Sequence, residues 1–508
     1  MTNSRSRPRS AAVVFACAAV LAAALLTVAA ASAQVLYGGL VGTVTDPQGA
    51  VLPGVAVSIT NVGTGLKLDT VTDETGNYVF RNLLPGTFDM TLSLRGFKEM
   101  RRTGIVVTAG TPRREDATLQ LGAPTDTVTV TAETIALQTE TSDLTAKISS
   151  TQVIALPLNQ YRNYQQLLNL VPGATPVQFQ NAEIDTPGRS LRTWVNGVQP
   201  NTNTTRVDGA VSINVWLPHH AGYIQPAETI ETVNISTNNF DADTGFAAGA
   251  AQTVITKSGT NNFRGSAFWF FNRDKFNANS FYNNAFSIAK PARTLDITGG
   301  TLGGPILKEK LFFFQSYELF HDRRPGTYVY SVPTDKMRNG DFTEVAAKYT
   351  TFKLYDPATG GTDASKRTLF SNFTIPSNRI DAVAKKIMAL YPPVNSTLDL
   401  NSNLILDDYS LLRPGVQNDR HNFDTKITWQ RSTSHAIWGK FSALKADVVD
   451  NYNLGWENGS NGDTNVYMIS VGHTWTLSPT LLLDGNFGYY RFNQVVLGPD
   501  YGKNYGLD

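Results

Sequence analysis

The chain has 508 residues, room for several domains, and its 41% hydrophobic content is set against only 17% charged residues, which is low for a protein surrounded by water. Lysine and arginine number 43 against 42 aspartates and glutamates, so the net charge of +1 supplies neither a basic field nor an acidic tail, and no nucleic-acid partner is expected. Aromatic residues make up 10%, which suits β-structure and an interfacial aromatic girdle, although a soluble β-protein could carry as many.

Arg5, Arg7 and Arg9 precede an apolar run over 11–31 that ends in Ala31-Ser32-Ala33, the small-x-small pattern of a signal-peptidase site. Residues 1–33 therefore read as a signal peptide and Gln34 as the first mature residue. The run is about 21 residues long, enough to cross a bilayer, so a retained anchor is the alternative reading. Cys17, the sole cysteine, falls inside the cleaved stretch, so the mature chain is expected to hold no disulfide and no Cys-based metal site.

Residues 34–122 alternate apolar and polar positions between punctuated turns: Gly42 to Gly49, Pro53-Gly54, Val55, Val57, Ile59, then Asp73-Glu74-Thr75-Gly76 leading to Tyr78, Phe80, Leu83 and Pro85-Gly86. The patterns G-x-V-x-D-x-x-G, P-G-x-x-V and D-x-x-G-x-Y-x-F-x-x-L-x-P-G occur in that order. In this the segment resembles the carboxypeptidase regulatory-like domain, a transthyretin-like β-sandwich, and the resemblance implies no catalysis.

A linker over 123–139 contains Asp126, Thr127, Val128, Thr129, Val130, Thr131 and Ala132, whose β-branched residues favour extended backbone. Pro124 and polar flanks are expected to keep it out of the preceding sheet and open to a partner. The bland reading is a Thr-rich linker or one more strand of the β-domain. Residues 140–262 follow, with Ile148, Pro157-Leu158-Asn159, an expected helix over 161–171 that carries Leu167, Leu168 and Val171, and the stretches Val207-Asp208-Gly209, 230–233 and 249–259. This order is similar to the plug domain of TonB-dependent outer-membrane receptors, in the branch with a regulatory-like N-terminal extension and an Oar-like barrel. The resemblance identifies residues 126–132 with the family's D-T-x-x-V-T-A TonB box, and so implies a TonB-type inner-membrane partner. One departure is Leu156-Pro157-Leu158-Asn159-Gln160-Tyr161-Arg162, where relatives have Asn-Gly-Arg, a change in a turn.

From 263 to 508 the alternation recurs in seven candidate strands: 264–273, 294–303, 310–321, 420–430, 435–445, 466–477 and 480–493. Their connections alternate long and short, as expected of a chain weaving through an outer membrane. Phe423, Thr425, Ile427 and Trp429 share one parity, as do Ile437, Gly439, Phe441 and Ala443, then Tyr467, Ile469, Val471, Trp475 and Leu477, and Leu481, Leu483, Phe487 and Tyr489. That parity is assigned to outer-membrane lipid, with Gln315 and His473 as exceptions. On this reading arginine at Ile469 is costly and arginine at Ser470 mild. The run Leu311-Phe312-Phe313-Phe314 is apolar on both parities and assigns no face. A plugged transporter barrel has about 22 strands, so the sequence reads as a fragment or a truncated product.

The expected fold is thus mainly β: a transthyretin-like sandwich, an α+β plug, and the first part of a large antiparallel transmembrane barrel. The expected function is uptake of an extracellular ligand of carbohydrate, peptide or siderophore type, with a surface carbohydrate-binding or adhesion protein, or a passive porin, as alternatives. No enzymatic motif and no cofactor site is read. Gly299 to Gly304 has phosphate-loop spacing, but Pro305 and Ile306 replace the required Lys and Ser/Thr, and a tight hairpin there is the better account. Asp241, Asp243 and Gly245 fall short of a calcium loop, with Gln252 where a Glu is needed. His219 and His220 are the candidate ligand-binding pair, although loop residues are the more ordinary reading. The apolar spacing of Ile380, Val383, Ile387 and Leu390 predicts a small helix in the longest loop.

Overall fold

The structure is a computed structural model that describes residues 37–506, apart from 111, 123–126, 132–143, 180–181, 218–219, 240–246, 286, 396–408, 451–459, 479–480 and 499. The signal segment, Cys17, Asp126, Ala132, His219 and the calcium-like Asp241, Asp243 and Gly245 lie outside the described residues. Among those described, no helix is long and apolar enough to cross a membrane.

The N-terminal strands are β1 (Gly38–Thr45), β2 (Ala56–Asn61), β3 (Lys67–Val71), β4 (Asn77–Leu83), β5 (Gly86–Ser93), β6 (Glu99–Val107), β7 (Pro112–Arg114), β8 (Ala117–Thr118) and β9 (Thr127–Thr131). They build one sheet in the order β4-β1-β7, with β8 also on β1, and a second in the order β3-β2-β5-β6-β9. Period-two alternation turns Leu40, Val44, Tyr78 and Phe80 of the first sheet toward Val57, Ile59, Phe88, Met90, Leu92 and Ile105 of the second. Each such side chain contributes roughly 1.5–3 kcal/mol when fully buried. The turns are fixed by aspartates: Asp46 Oδ1 accepts from Gln48 N and Ala50 N, and Asp73 Oδ1 from Thr75 N and Asn77 N. The Thr75 hydroxyl and these N–H groups hold Asp73 below the usual carboxylate range.

The linker segment departs from expectation. Thr127 to Thr131 is absorbed into the preceding sheet, pairing parallel with β6 from Glu99↔Thr127 to Thr103↔Thr131. Pro124 lies upstream of the paired residues and removes no N–H from them. The alternation of the strand does the rest: Val128 and Val130 are half-buried beside Met100 and Arg102, while Thr129 and Thr131 are exposed.

An inner domain follows, with β10 (Leu144–Ser149), β11 (Gln178–Phe179), β12 (Leu191–Arg192), β13 (Thr204–Val207), β14 (Ala210–Val211), β15 (Ile230–Asn238) and β16 (Ala251–Thr256). Its main sheet has the order β10-β15-β16-β13-β14, parallel only between β13 and β16. A capping box between Ser149 and Gln152 starts the helix Ser150–Ala155. The helix expected over 161–171 is instead a 3-10 helix, Tyr164–Leu170. Arg162 has φ 51°, which a right-handed helix cannot contain, so the helix starts only after Asn163, whose side chain caps Gln165 N.

Seven strands complete the fold: β17 (Arg264–Arg273), β18 (Thr294–Leu307), β19 (Leu311–Tyr330), β20 (Tyr409–Ser432), β21 (His435–Asp450), β22 (Ser460–Ser478) and β23 (Leu481–Leu497). They pair antiparallel in strict sequence order. Most run past the expected ends; β19 and β20 stay paired out to Tyr330↔Tyr409, so a long ribbon stands where loop was expected. The alternation of long and short connections holds. The tight hairpin expected beside Pro305 is present but falls slightly later: Gly299 to Leu307 lie inside β18, and the turn is at 308–310, where Glu309 takes φ 63°. Gly259 shows why the link from the inner domain needs a bare backbone. A Cβ there would lie 2.3 Å from Phe313 O and 2.7 Å from Gly304 O. In the long connection after β19, Asp381 caps the helix Ala382–Leu390, whose Val383, Ile387 and Leu390 are partly exposed.

The polarity of this sheet is inverted. Ile427, Trp429, Tyr467, Ile469, Val471, Leu483 and Phe487 are exposed, while Asp424, Lys426, Lys440, Ser442 and Thr464 of the same strands are buried. The face that the sequence left open in β19 is settled too: Phe312, Phe314 and Phe320 turn inward. The inward face is closed by the inner domain, with Leu444, Ala446, Val466 and Met468 joining one core with Val207, Ala210, Tyr223, Val233 and Val254.

The sandwich docks at the short-turn end of the sheet. Tyr37 is buried among Ala109, Ile255 and Trp438, and Trp438 Nε1 donates to its hydroxyl at 3.1 Å. Burial pushes that phenol up to about 12. Asn261 N and Nδ2 donate to Gly63 O and Thr64 O, and Glu309 N donates to Asn261 Oδ1 at 2.7 Å.

Ser470 is 1% exposed, so arginine at this position meets a packed inner domain and is not mild, contrary to the sequence reading. Ile469→Arg puts the charge on the apolar outer face and is expected to cost about 2–4 kcal/mol near mid-bilayer, against under about 1.5 kcal/mol for Ile469→Leu. Denaturant titration of folding into liposomes measures the difference; equal midpoints for the two variants would contradict the outward assignment.

Candidate functional site

Lys426 of β20 and Lys440 of β21 are direct cross-strand partners on the inward face. Like charges so placed repel unless an anion lies between them. The inner domain supplies it. Between β13 and β14, Asp208 and Gly209 have φ 41° and 80°, the two positive values that a tight hairpin of this hand requires. This turn thrusts Asp208 at the wall, where its carboxylate is 3.0 Å from Lys426 Nζ and 3.3 Å from Lys440 Nζ. The three side chains are 3%, 8% and 1% exposed. Thr256 N and Oγ1 also donate to Asp208, and Lys426 Nζ donates to Thr256 O at 3.0 Å. Asp424 completes the group: it lies 3.7 Å from Lys440 and accepts from Tyr223 OH at 2.9 Å and Ser442 Oγ at 2.6 Å. Two cations and two anions are thereby matched within a buried site, the condition under which such charges are tolerated.

A second set of contacts lies nearer the long-connection end. Glu183 of the inner domain pairs with Arg324 of β19 and accepts from Tyr161 OH at 2.6 Å. Arg420 of β20 donates to Pro187 O at 3.2 Å and pairs with Glu318 at 3.4 Å. Gln494 of β23 donates to Ile184 O at 2.8 Å. The inner domain is therefore fixed to the wall both by the apolar core it shares with Leu444, Ala446, Val466 and Met468 and by polar contacts at two levels.

The other sequence candidates are dispersed. Thr127 to Thr131 lie on the sandwich, away from the clasp on the wall. His220 is 2% exposed, its ring edge-on to Phe492 at 5.9 Å, a packed position closed to a ligand in this conformation. Among the described residues no group of three or more His, Cys, Asp or Glu is arranged to hold a metal. The sequence reading singled out Val207-Asp208-Gly209 without a role and missed the clasp. A signal was present: once the short turn after β20 is placed, Lys426 and Lys440 stand opposite each other on the polar parity.

A curved sheet with an apolar outer face and a charged inner face filled by a separate domain defines an outer-membrane β-barrel protein. Two family models agree: an outer membrane beta barrel domain matches residues 255–507, and a carboxypeptidase regulatory-like domain matches residues 39–120. The chain therefore carries an outer membrane β-barrel domain and a carboxypeptidase regulatory-like domain, and in sequence it is a homologue of a TonB-dependent transporter. It is 26% identical over 467 residues to the TonB-dependent transporter Oar of Myxococcus xanthus, an alignment that covers 86% of this chain and 41% of that protein. Among solved structures it is similar to the outer membrane transporter YddB of Escherichia coli, with a TM-score of 0.43 and 11% identity over 70% of this chain and 40% of the other. The ferric enterobactin receptor PfeA of Pseudomonas aeruginosa gives a TM-score of 0.38 and 12% identity over 70% and 42% of the two chains. These relatives are transporters and receptors, not enzymes.

Asp208→Asn leaves Lys426 and Lys440 facing each other with Asp424 alone to balance them. It is expected to lower stability by about 3–5 kcal/mol, with much of the loss recovered by adding Lys440→Met. Chemical denaturation of the refolded chain in detergent reads both; an unchanged midpoint for Asp208→Asn would mean that the clasp holds nothing.

Proposed function

We propose that the chain carries the plug and the first wall of a TonB-dependent transporter for active uptake of a scarce or bulky ligand. On this reading residues 140–262 are the plug, and Asp126, Thr127, Val128, Thr129, Val130, Thr131 and Ala132 are the segment gripped by a TonB-type inner-membrane protein. The observation that carries it is the buried clasp of Asp208 on Lys426 and Lys440. A domain fastened inside a lipid-facing wall blocks passive flux, so transport needs work delivered from outside the barrel. The short turns and the docked sandwich then face the periplasm, and the long connections face the exterior. Strand addition to a Thr-Val segment takes its affinity from backbone hydrogen bonds, which suits residues with little side-chain chemistry. The ligand is assigned to the carbohydrate, peptide or siderophore classes, bound by the long connections and the outward loops of the plug.

The test uses the complete gene in a Gram-negative host, with labelled oligosaccharides, oligopeptides and ferric siderophores as probes. At least one probe is expected to accumulate only when TonB is present. Val130→Pro removes one backbone donor from the segment and is expected to reduce that accumulation to the TonB-less level without altering membrane insertion. Accumulation that ignores both TonB and Val130→Pro would instead make the protein a passive pore.

A further inference from the structure

We propose that a solute rich in hydrogen-bonding groups passes the inner domain along β19 and β20, and that the cavity beneath the Asp208 clasp receives it before release. The inference rests on reading the chain as part of a transporter, and it adds what that reading leaves open, the side of the inner domain that the route takes. The seam on β21 and β22 stays shut and serves as the hinge.

The inward side chains of the wall change character between β20 and β21. Three successive inward cross-strand pairs set a polar group against an apolar one: Asn422 with Leu444, Arg420 with Ala446 and Asn418 with Val448. All six are buried. On the β21 side, Leu444 and Ala446 belong, with Val466 and Met468 of β22, to the core shared with the inner domain. On the β20 side the inner domain is met through its backbone, since Arg420 donates to Pro187 O at 3.2 Å and Asn422 Nδ2 to Ile224 O at 3.4 Å. Water takes over such bonds at little net cost, whereas nothing in water replaces the packing of Leu444 or Met468. The polar column also holds unsatisfied groups. Asn418, fully buried, has no hydrogen-bond partner for Oδ1 or Nδ2 among the described residues, and neither has Ser316 Oγ, on β19 opposite Asp424. A buried polar atom left so is a cost that a passing hydroxyl or amide relieves.

The column ends in a chamber. Toward the short turns from Lys426, a cavity of about 1800 Å³ opens between wall, inner domain and sandwich. It exceeds the roughly 300–1,000 Å³ of a pocket for a drug-sized molecule. Asp208, Thr256 and Lys426 of the clasp line it, as do Val71 and Val79 of the sandwich. Hydroxyls of Thr428, Ser258 and Thr474 line it too, and as donors and acceptors they suit the same class of solute as the column above. Lys426 is thus both the foot of the column and part of the cavity lining, so release of the clasp joins the two.

The sequence has one cysteine, Cys17, so a Cys17→Ser background makes an introduced thiol unique. The test places Ser316→Cys on the column or Ala446→Cys on the seam of the full-length protein in Gram-negative cells. A small hydrophilic maleimide is added while a mixture of oligosaccharides, oligopeptides and ferric siderophores is supplied. Labelling of Ser316→Cys is expected to rise about tenfold when TonB and the mixture are both present, because the column then opens, while Ala446→Cys stays unlabelled. Val79→Trp fills the cavity from the exposed sandwich side and is expected to lower accumulation of the transported probe about fivefold, with its binding at the cell surface unchanged. Equal labelling of the two thiols, labelling of Ala446→Cys alone, or accumulation with neither labelled would overturn the route. Unchanged accumulation by Val79→Trp would overturn the receiving cavity. Failure of every probe to accumulate would instead overturn the transporter reading on which the route rests.

Discussion

Two ammonium groups facing each other inside a wall that turns its apolar side outward form an arrangement that neither the wall nor the inner domain can hold alone. Lys426 and Lys440 are cross-strand neighbours, and the carboxylate between them comes from a hairpin of another domain. The inward polarity of β20 and β21 therefore makes sense only with Asp208 in place, and the positive φ values at Asp208 and Gly209 serve to deliver it. The same interdependence recurs higher on the wall, where Arg324 and Arg420 meet Glu183 and Pro187 O. A closure built this way combines a shared apolar core with two levels of buried polar contacts, so the domain is held by packing and by charge together.

Much of this architecture could be read from the residues because a half-lipid, half-lumen strand has a strict period of two. The outward parity of Ile427 and Trp429, or of Tyr467 and Ile469, follows from alternation alone and matches their exposure. Alternation failed at Phe312, Phe313 and Phe314, where the inward rings fill space beside the inner domain, as Phe320 does 5.5 Å from the Tyr161 ring. It also misjudged Ser470: the inner parity is right, but alternation does not report how tightly that face is packed, and the side chain is 1% exposed. The clasp was hidden for a different reason. Asp208 is remote in sequence from both lysines, and only the lysines' own opposition, fixed by the short turn between their strands, hinted that an anion was needed. Strand ends were underestimated because the β19 and β20 ribbon continues on polar residues such as Arg323 and Gln417, which carry no lipid-facing signal.

The linker segment carries the most instructive miss. Its β-branched residues correctly indicated a strand, but an extended segment next to a sandwich with an open edge has a partner within reach. Val128 and Val130 supply the period that lets it pack there. Backbone hydrogen bonding of an extended segment asks little of its side chains, and here it joins Thr127 to Thr131 to the strand of its own domain.

Tyr37 gives the sandwich a second meaning. Its ring is buried against Trp438 at the short-turn end of the wall, on the same strand as Lys440 of the clasp. The two attachments touch: Lys426 Nζ lies 5.3 Å from the centre of the Trp438 ring, and Ile255, packed beside Tyr37, precedes Thr256, whose N–H donates to Asp208. Asn234 of the inner domain also donates to Ala109 O of the sandwich at 2.9 Å. Sandwich, inner domain and wall therefore meet at one joint, and a shift of any one of them is felt by the other two.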